Sequence, residues 1–412
     1  MKRLTLSAAI VAAIYSAPSL ADNQLNDVFV TAGHHTQTLH SVTANATVIT
    51  ANDIEDNHYR TLSDALNSVN GFNIVRNGGL GNATSALVRG QSTKNLLILV
   101  DGVEMNNPSG TGGAILSNLL LSNVARIEIL KGPQSGIWGA NASSGVVNII
   151  TNKSVQGTQG SITVEKGSFN QQKLAGQFSS SNEQGDFSAS FSRIETDGFS
   201  AVKPFEENHD DYEKDAFNQT DFGLNIGINI NANHRVETTL SASNGYTEYD
   251  YGSNPDQTDF ASVNYKNTLK KLQYVYNKER YSNTLFVSQN EIQQYSDAVI
   301  NSYGVKGGLE YSQGQNLNFI ASANQYQNET TREDFDNLGF GLSNTNQFNQ
   351  GRLIITESIR SDQFNEFDDK ITGKLGVKNF FNENVFASAN IGTAYNTPTL
   401  FQLTYGATSD LQ

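Results

Sequence analysis

Hydrophobic and polar positions follow two rhythms along this chain, and the change falls near residue 153. Before it, apolar residues come in blocks. Val48 and Ile49 mark a strand at residues 47–50. Asp53 and Glu55 fall in the first turn of a short helix opened at Asn52, where acidic groups suit the positive end of the helix dipole. Thr61 caps a second helical run that stops at Asn70-Gly71. Residues 72–76 alternate as a strand, and residues 85–89 make another. Leu96, Leu97, Ile98, Leu99 and Val100 form a continuous apolar run, which predicts a strand buried on both faces. Asp101-Gly102 turns the chain back into residues 103–105. Residues 115–121 are apolar and predict a helix. Residues 124–151 then give a strand, a Gly132-Pro133 turn, a Gly-rich loop and a last apolar strand. Residues 46–152 thus read as one α+β domain with its own core.

After Lys153 the period falls to two. Leu224, Ile226, Ile228 and Ile230 alternate with Asn and Gly, and Ile371, Leu375 and Val377 stand in a similar pattern. Segments of roughly ten alternating residues with polar turns are the signature of an outer-membrane barrel, whose lipid-facing and lumen-facing residues alternate. Residues 159–412 carry about 13 such strands at ~20 residues per strand. Short turns are expected at residues 182–185, 277–280 and 382–384, and long connections at 197–219 and 248–260. Tyr274, Tyr276, Tyr281, Phe380, Phe381 and Phe386 lie near segment ends and suit an aromatic girdle. A soluble β-sandwich would need large apolar residues on the second face, which here is Asn, Gln, Ser, Thr and Gly. No 40-residue motif recurs, which argues against a propeller.

Composition narrows the function. Charged residues are 17% and the formal charge is -14, so nothing here attracts nucleic acid. There are no cysteines, hence no disulfide and no thiolate metal site. Lys2 and Arg3, an apolar stretch at residues 4–15 and Ser19-Leu20-Ala21 read as a secretory signal over residues 1–21. No later stretch has the roughly 18 consecutive apolar residues of a membrane helix, so a membrane reading requires a barrel. Gly79-Leu80-Gly81 lacks the third glycine of a dinucleotide fingerprint, and no phosphate-loop or nucleophile-elbow pattern occurs. The chain reads as a non-enzyme. His34-His35 reads as linker.

Two constellations remain, each with two readings. Asp27, Val28, Phe29, Val30, Thr31 and Ala32 form a short strand-like piece in a polar tail, residues 22–45. It is either the first strand of the domain or a detachable strand offered to a partner's sheet edge. Asp211, Glu213 and Asp215 alternate in one long connection, with Tyr249, Asp250 and Asp259 in the next. They are either solvated loop residues or oxygen ligands suited to Ca²⁺.

The combination resembles the TonB-dependent outer-membrane receptors: a membrane β-barrel, here incomplete, with an N-terminal α+β plug inside. The resemblance rests on Leu99-Val100-Asp101-Gly102-Val103, Val124-Ala125-Arg126-Ile127-Glu128-Ile129, Gly132-Pro133, Gly145-Val146-Val147-Asn148-Ile149-Ile150-Thr151 and Tyr395-Asn396-Thr397-Pro398-Thr399-Leu400. It covers essentially all of the chain after residue 21. It implies that residues 26–32 are a TonB box, which pairs with TonB energised through ExbB and ExbD of the inner membrane. Within the family the plug is most similar to the cobalamin receptors. That similarity implies a corrinoid ligand, with Ala83, Ser85, Ser92, Gly110 and Thr111 at the substrate. It also implies loop-ordering calcium on the acidic set, although Glu213 stands where an Asp is usual. Outer-membrane lipid surrounds such a protein, and phages or colicins are partners the family admits. A siderophore or haem receptor, and a binding or adhesion protein without transport, are the competing functions. The family's barrel has about 22 strands, so a barrel of about 13 reads as truncated. Arg89, Arg126, Glu128 and Lys131 are candidates for plug-to-barrel ion pairs, with partners that the sequence does not assign.

Overall fold

The computed structural model describes residues 29–30, 37–110, 112–154, 156–201, 214–250, 260–382 and 385–406. The expected signal sequence lies outside them. In chain order the first part comprises β1 (Phe29–Val30), β2 (Gln37–Thr38), β3 (Asn45–Thr50), α1 (Ala51–Asp56), α2 (Leu62–Asn67), β4 (Phe72–Arg76) and β5 (Thr84–Val88). It continues with β6 (Leu96–Val100), β7 (Val103–Glu104), β8 (Val124–Lys131), α3 (Ser135–Trp138) and β9 (Gly145–Thr151). Five of these strands make one sheet in the order β3-β8-β9-β6-β7, and β4–β5 is a separate hairpin.

The run at β6 is buried on both faces for the reason its composition gives. Leu96 and Ile98 enter one apolar cluster with Leu62, Leu66, Ile127 and Val147. Leu97 and Leu99 enter a second with Val42, Leu130 and Val146. Both short helices are fixed by reciprocal caps. Thr50 and Asp53 cap α1, and Thr61 and Asp64 cap α2, each hydroxyl receiving the backbone N–H that its partner carboxylate answers.

The structure departs from the sequence reading in three places. Residues 115–121 hold only a single tight turn at Leu116–Asn118. Leu116, Leu119 and Leu121 all reach the main core without a helix, so burial there is met by an irregular path. The loop after Pro133 contains the one-turn helix α3, ended at Gly139 with φ 84°. Arg126 and Glu128, both candidates for plug-to-barrel pairs, pair with each other at 2.8 Å along one strand.

The second part is a single antiparallel sheet of 13 strands. They are β10 (Gly157–Lys166), β11 (Gln172–Asn182), β12 (Gly185–Thr196), β13 (Phe217–Asn231), β14 (His234–Asp250), β15 (Phe260–Lys278) and β16 (Tyr281–Gln293). They continue as β17 (Asp297–Ser312), β18 (Gln315–Asn328), β19 (Asp334–Phe348), β20 (Leu353–Phe364), β21 (Lys370–Phe380) and β22 (Phe386–Gly392). Each strand pairs with its sequence neighbours, and β10 and β22 are the two edges of an open barrel. Side chains alternate as lipid requires. Ile162, Val164, Ile371 and Ile391 point outward and are 74–81% exposed. Asn225, Asn267, Asn290 and Asn337 turn inward and are buried.

Connections alternate in length. Two-residue turns join β11 to β12, β13 to β14, β15 to β16 and β17 to β18 at one end. The long connections between β12 and β13 and between β14 and β15 lie at the other. The six aromatic residues of the expected girdle all fall at the short-turn end, which fits an interface belt.

The first part sits inside this curved sheet and is tied to it mainly by single polar contacts. At the short-turn end, Lys378 Nζ donates to the carbonyls of His40 at 2.9 Å and Val42 at 3.3 Å, and His40 stacks on Phe380. Lys271 Nζ donates to the Asp101 carbonyl at 2.7 Å, and Asn290 to the Glu104 carbonyl at 2.7 Å. Lys374 Nζ donates to Gln134 Oε1 at 2.7 Å beside α3. At the plug's exit, Lys153 approaches Glu237 at 3.8 Å. Apart from this pair, these ties join a charged or amide donor to a neutral acceptor. The hydrogen-bonded ties link residues more than a hundred positions apart, which sequence spacing does not reveal.

Candidate functional site: a cavity at the long-loop end

Where β7 ends, the chain loops through residues 105–114 and opens a cavity of 610 Å³ at the long-loop end. Its plug wall is Glu104, Asn106, Asn107, Pro108, Gly112 and Gly113, with Lys94 and Asn141 beside them. Its barrel wall is Tyr326 of β18 and Phe335 of β19, cross-strand partners whose rings stack 4.5 Å apart. The last helix, α4 (Leu400–Gly406), closes one side with Gln402 and Leu403.

Local chemistry fixes each wall. Asn106 acts as an extra rung beside β6: its Oδ1 accepts from Ile98 N at 2.9 Å and its Nδ2 donates to Leu96 O at 3.0 Å. Asn107 Oδ1 accepts from Ser109 N at 2.8 Å and shapes the loop's turn. Gly112 and Gly113 have φ of 95° and 88°, and a Cβ on Gly113 would stand 3.0 Å from Thr93. The turn therefore needs glycine at both positions. Thr399 and Gln402 cap α4 reciprocally, and Leu400 N donates to Pro108 O at 2.8 Å, so the helix is pinned to the plug loop.

Glu104 is the distinctive group. Its Oε2 accepts from Tyr326 Oη at 3.0 Å and its Oε1 from Asn141 Nδ2 at 3.4 Å. Enclosure between plug and barrel pushes its carboxyl up from 4.5 to about 7, while the hydrogen bonds from Tyr326 and Asn141 pull the other way. A side chain near its own pKa at neutral pH can accept a hydrogen bond or donate one. With aromatic faces, amides and one lysine around it, the cavity offers shape and dispersed polar contacts, the features of a ligand site.

None of the described substrate residues expected from sequence lines this cavity. Ala83 and Ser85 are exposed on the β4–β5 hairpin. Ser92 precedes the turn that carries Lys94, and Gly110 lies between Pro108 and Gly112. Thr111 lies outside the described residues. Sequence reading missed Glu104, Asn141, Tyr326 and Phe335. The paired Tyr326 and Glu104 are 222 positions apart, beyond the reach of sequence spacing.

Of the acidic set, Asp211, Glu213 and Asp259 lie outside the described residues. Asp215 is buried at the foot of its connection. Asp250 accepts from Ser200 Oγ at 3.0 Å and Ala201 N at 2.8 Å, which ties two loop feet together. Tyr249 bonds to the Tyr295 hydroxyl. Among the described residues, no three His, Cys, Asp or Glu side chains converge. Of the expected TonB box, only Phe29–Val30 is described, as a two-residue ladder with Gln37–Thr38.

Residues 38–146 match the TonB-dependent Receptor Plug Domain. The chain carries the plug domain of a TonB-dependent receptor. Its relatives include the Vitamin B12 transporter BtuB of Vibrio vulnificus, 28% identical across 92% of this receptor and 65% of the relative. The Vitamin B12 transporter BtuB of Photobacterium profundum is 26% identical across 98% of this receptor and 68% of the relative. The receptor thus spans about two thirds of the length of these relatives. Among solved structures it is similar to the siderophore receptor PirA of Acinetobacter baumannii, with a TM-score of 0.74, 15% identity, and coverage of 87% of this chain and 62% of that one. A ferric enterobactin receptor, PfeA, of Pseudomonas aeruginosa gives a TM-score of 0.73 at 16% identity, covering 87% and 63%. At those identities the likeness concerns the fold. The receptor's place is the outer membrane, where its strands face lipid.

Proposed function

We propose that this receptor captures cobalamin or a related corrinoid in the cavity at the long-loop end and passes it across the outer membrane in a step energised by TonB. The observation that carries the reading is 26–28% identity to vitamin B12 transporters over 92–98% of the chain. The site supports it. A broad, amide-rich ligand suits a cavity of 610 Å³ walled by aromatic rings, asparagines and one titratable acid.

The structure also suggests how the two ends communicate. The cavity loop grows directly out of β7, and β7 belongs to the sheet whose other edge is β3. Several plug-to-barrel ties are hydrogen bonds from lysine or asparagine to backbone carbonyls, as at Lys271, Asn290 and Asn390, which can be exchanged one at a time. At the short-turn end, Phe29–Val30 is held by a two-residue ladder. So short a ladder opens at small cost and can re-form on a partner's sheet edge. Residues 26–32 then serve as the handle TonB pulls.

The second reading is a siderophore receptor, favoured by the folds of PirA and PfeA. Equilibrium titration of the purified receptor in detergent with cyanocobalamin and with ferric enterobactin separates the two. Saturable binding of cyanocobalamin, at least about tenfold tighter than ferric enterobactin (~1.4 kcal/mol), is expected. The reverse order would replace the corrinoid by a siderophore.

A further inference from the structure

We propose that a second cavity, inside the lumen between the plug sheet and the barrel wall, is a binding site for a phosphate or phosphodiester group. This cavity has a volume of 390 Å³ and shares Glu104, Tyr326, Phe335 and Thr397 with the outer one, so the two adjoin.

Its charge is opposite to that of the chain. The receptor has 41 acidic and 27 basic residues. The cavity wall nevertheless carries Arg126, Lys153, Lys271, Lys306 and Arg360 against only Asp101 and Glu104. Two of the five cations are neutralised. Arg126 pairs with Glu128 at 2.8 Å, and Arg360 pairs with Asp362 at 2.8 Å. The three lysines are not matched in this way. Lys153 has its carboxylate, Glu237, only at 3.8 Å. Lys271 donates to a backbone carbonyl, Asp101 O. The Lys306 side chain has no ion pair or hydrogen bond among the described residues. Lys271 and Lys306 lie within electrostatic reach of each other, and Lys153 adds to the repulsion on both, while Glu237 offsets part of it at both and Asp101 part of it at Lys271. Like charges gathered in an enclosed, weakly screened space are costly unless a lysine gives up its proton or an anion joins them, and the anion is the relief that keeps all three charged.

The wall also supplies neutral donors in a straight line. Strand register sets Lys271 opposite Ser288, Ser288 opposite Ser302, Ser302 opposite Asn324 and Asn324 opposite Asn337. All five line the cavity. Side chains at directly paired positions share one face of a sheet. Asn337 donates its amide hydrogens to Asp362 Oδ1 and Gln363 O, and Asn324 gives one of its own to Asn337, which leaves the Ser288 and Ser302 hydroxyls, flanked by lysines, as donors to a phosphate's acceptor oxygens. Lys306 stands on the same strand as Ser302, four residues on and on the same face.

The phosphate has two conceivable sources: free inorganic phosphate, or the phosphodiester of the nucleotide loop of a complete corrinoid. The second source rests on the cargo proposed above. Equilibrium dialysis of the folded receptor in detergent against radiolabelled inorganic phosphate at low ionic strength tests the site by itself. Saturable binding is expected. Lys306→Gln should weaken it about tenfold, because one charge-assisted contact is lost, and Lys306→Arg should restore most of it. The Lys306 side chain bonds to no neighbour among the described residues, so both variants are expected to keep the wild-type circular dichroism. Absence of saturable phosphate binding, or equal binding by the wild type and a folded Lys306→Gln variant, would overturn the proposal. Competition by cyanocobalamin but not by cobinamide, which lacks the phosphodiester, would support the cargo as the source. Competition by neither would support free phosphate. A receptor that binds phosphate in this pattern but no cyanocobalamin keeps the interior site and loses only the corrinoid reading.

Discussion

Asp362→Ala is expected to destabilise the receptor by about 3–5 kcal/mol, because it strands a buried guanidinium. Arg360 and Asp362 stand two residues apart on β20, facing the lumen, with side chains 4% and 1% exposed. The pair is forked: Arg360 Nε reaches both carboxylate oxygens at 3.0 and 2.8 Å, and Nη2 reaches Oδ1 at 2.8 Å. The guanidinium also lies against Gly139 at the end of α3, where an added Cβ would stand 3.0 Å from Nε. The pair therefore shapes the surface on which the plug's short helix rests. Removing the carboxylate leaves the positive charge in place and dry. Replacing both partners with apolar residues, as in Arg360→Met with Asp362→Leu, should recover most of the loss, because no charge is then left buried. The receptor's single tryptophan, Trp138, is in α3. Urea unfolding followed by its fluorescence reads the effect. A midpoint unchanged in Asp362→Ala would mean that the pair does not support α3.

Glu104→Gln should make the receptor more stable by about 2–3 kcal/mol at pH 8.5 and leave it nearly unchanged at pH 5. The sign follows from burial. The folded carboxyl titrates near 7 instead of 4.5. Between those values the folded state holds a proton that the unfolded state has released. Stability therefore falls as pH rises through that window, and the penalty is complete above it. The amide carries no charge at any pH and still accepts from Tyr326 Oη. Urea midpoints at the two pH values give the check. A wild-type midpoint flat from pH 5 to 8.5 would show that Glu104 stays ionised in the fold. Ligand affinity should share this dependence if the cavity binds through a protonated Glu104.

The elements that sequence period could reach are those whose burial is local. The β6 run appears as an unbroken apolar stretch because both its faces meet core, and β13 alternates because one face meets lipid and the other the lumen. Thr61 announces α2 because a cap acts within four residues. Residues 115–121 misled because apolar content alone does not distinguish a helix from an irregular path into the same core. The site was less legible for a related reason. Glu104 looks like any acid after a turn until β7 is placed against β18, and Tyr326 and Phe335 look like girdle aromatics until their strands curl over the plug. The row from Lys271 to Asn337 exists only through strand register, which period does not specify. The family resemblance pointed to loops that flank the cavity, at Ser92 and Gly110 beside Lys94 and Gly112, but not to the side chains that line it.

The central claim is import energised through residues 26–32. Its most direct test is uptake of radiolabelled cyanocobalamin by cells that lack their own receptor and express this chain, intact or with residues 26–32 deleted. Surface binding by the two forms is measured in parallel. Equal binding is expected, and uptake should fall on deletion to the level of cells without TonB. Uptake that survives the deletion, or an intact chain that binds cyanocobalamin and never imports it, would contradict it.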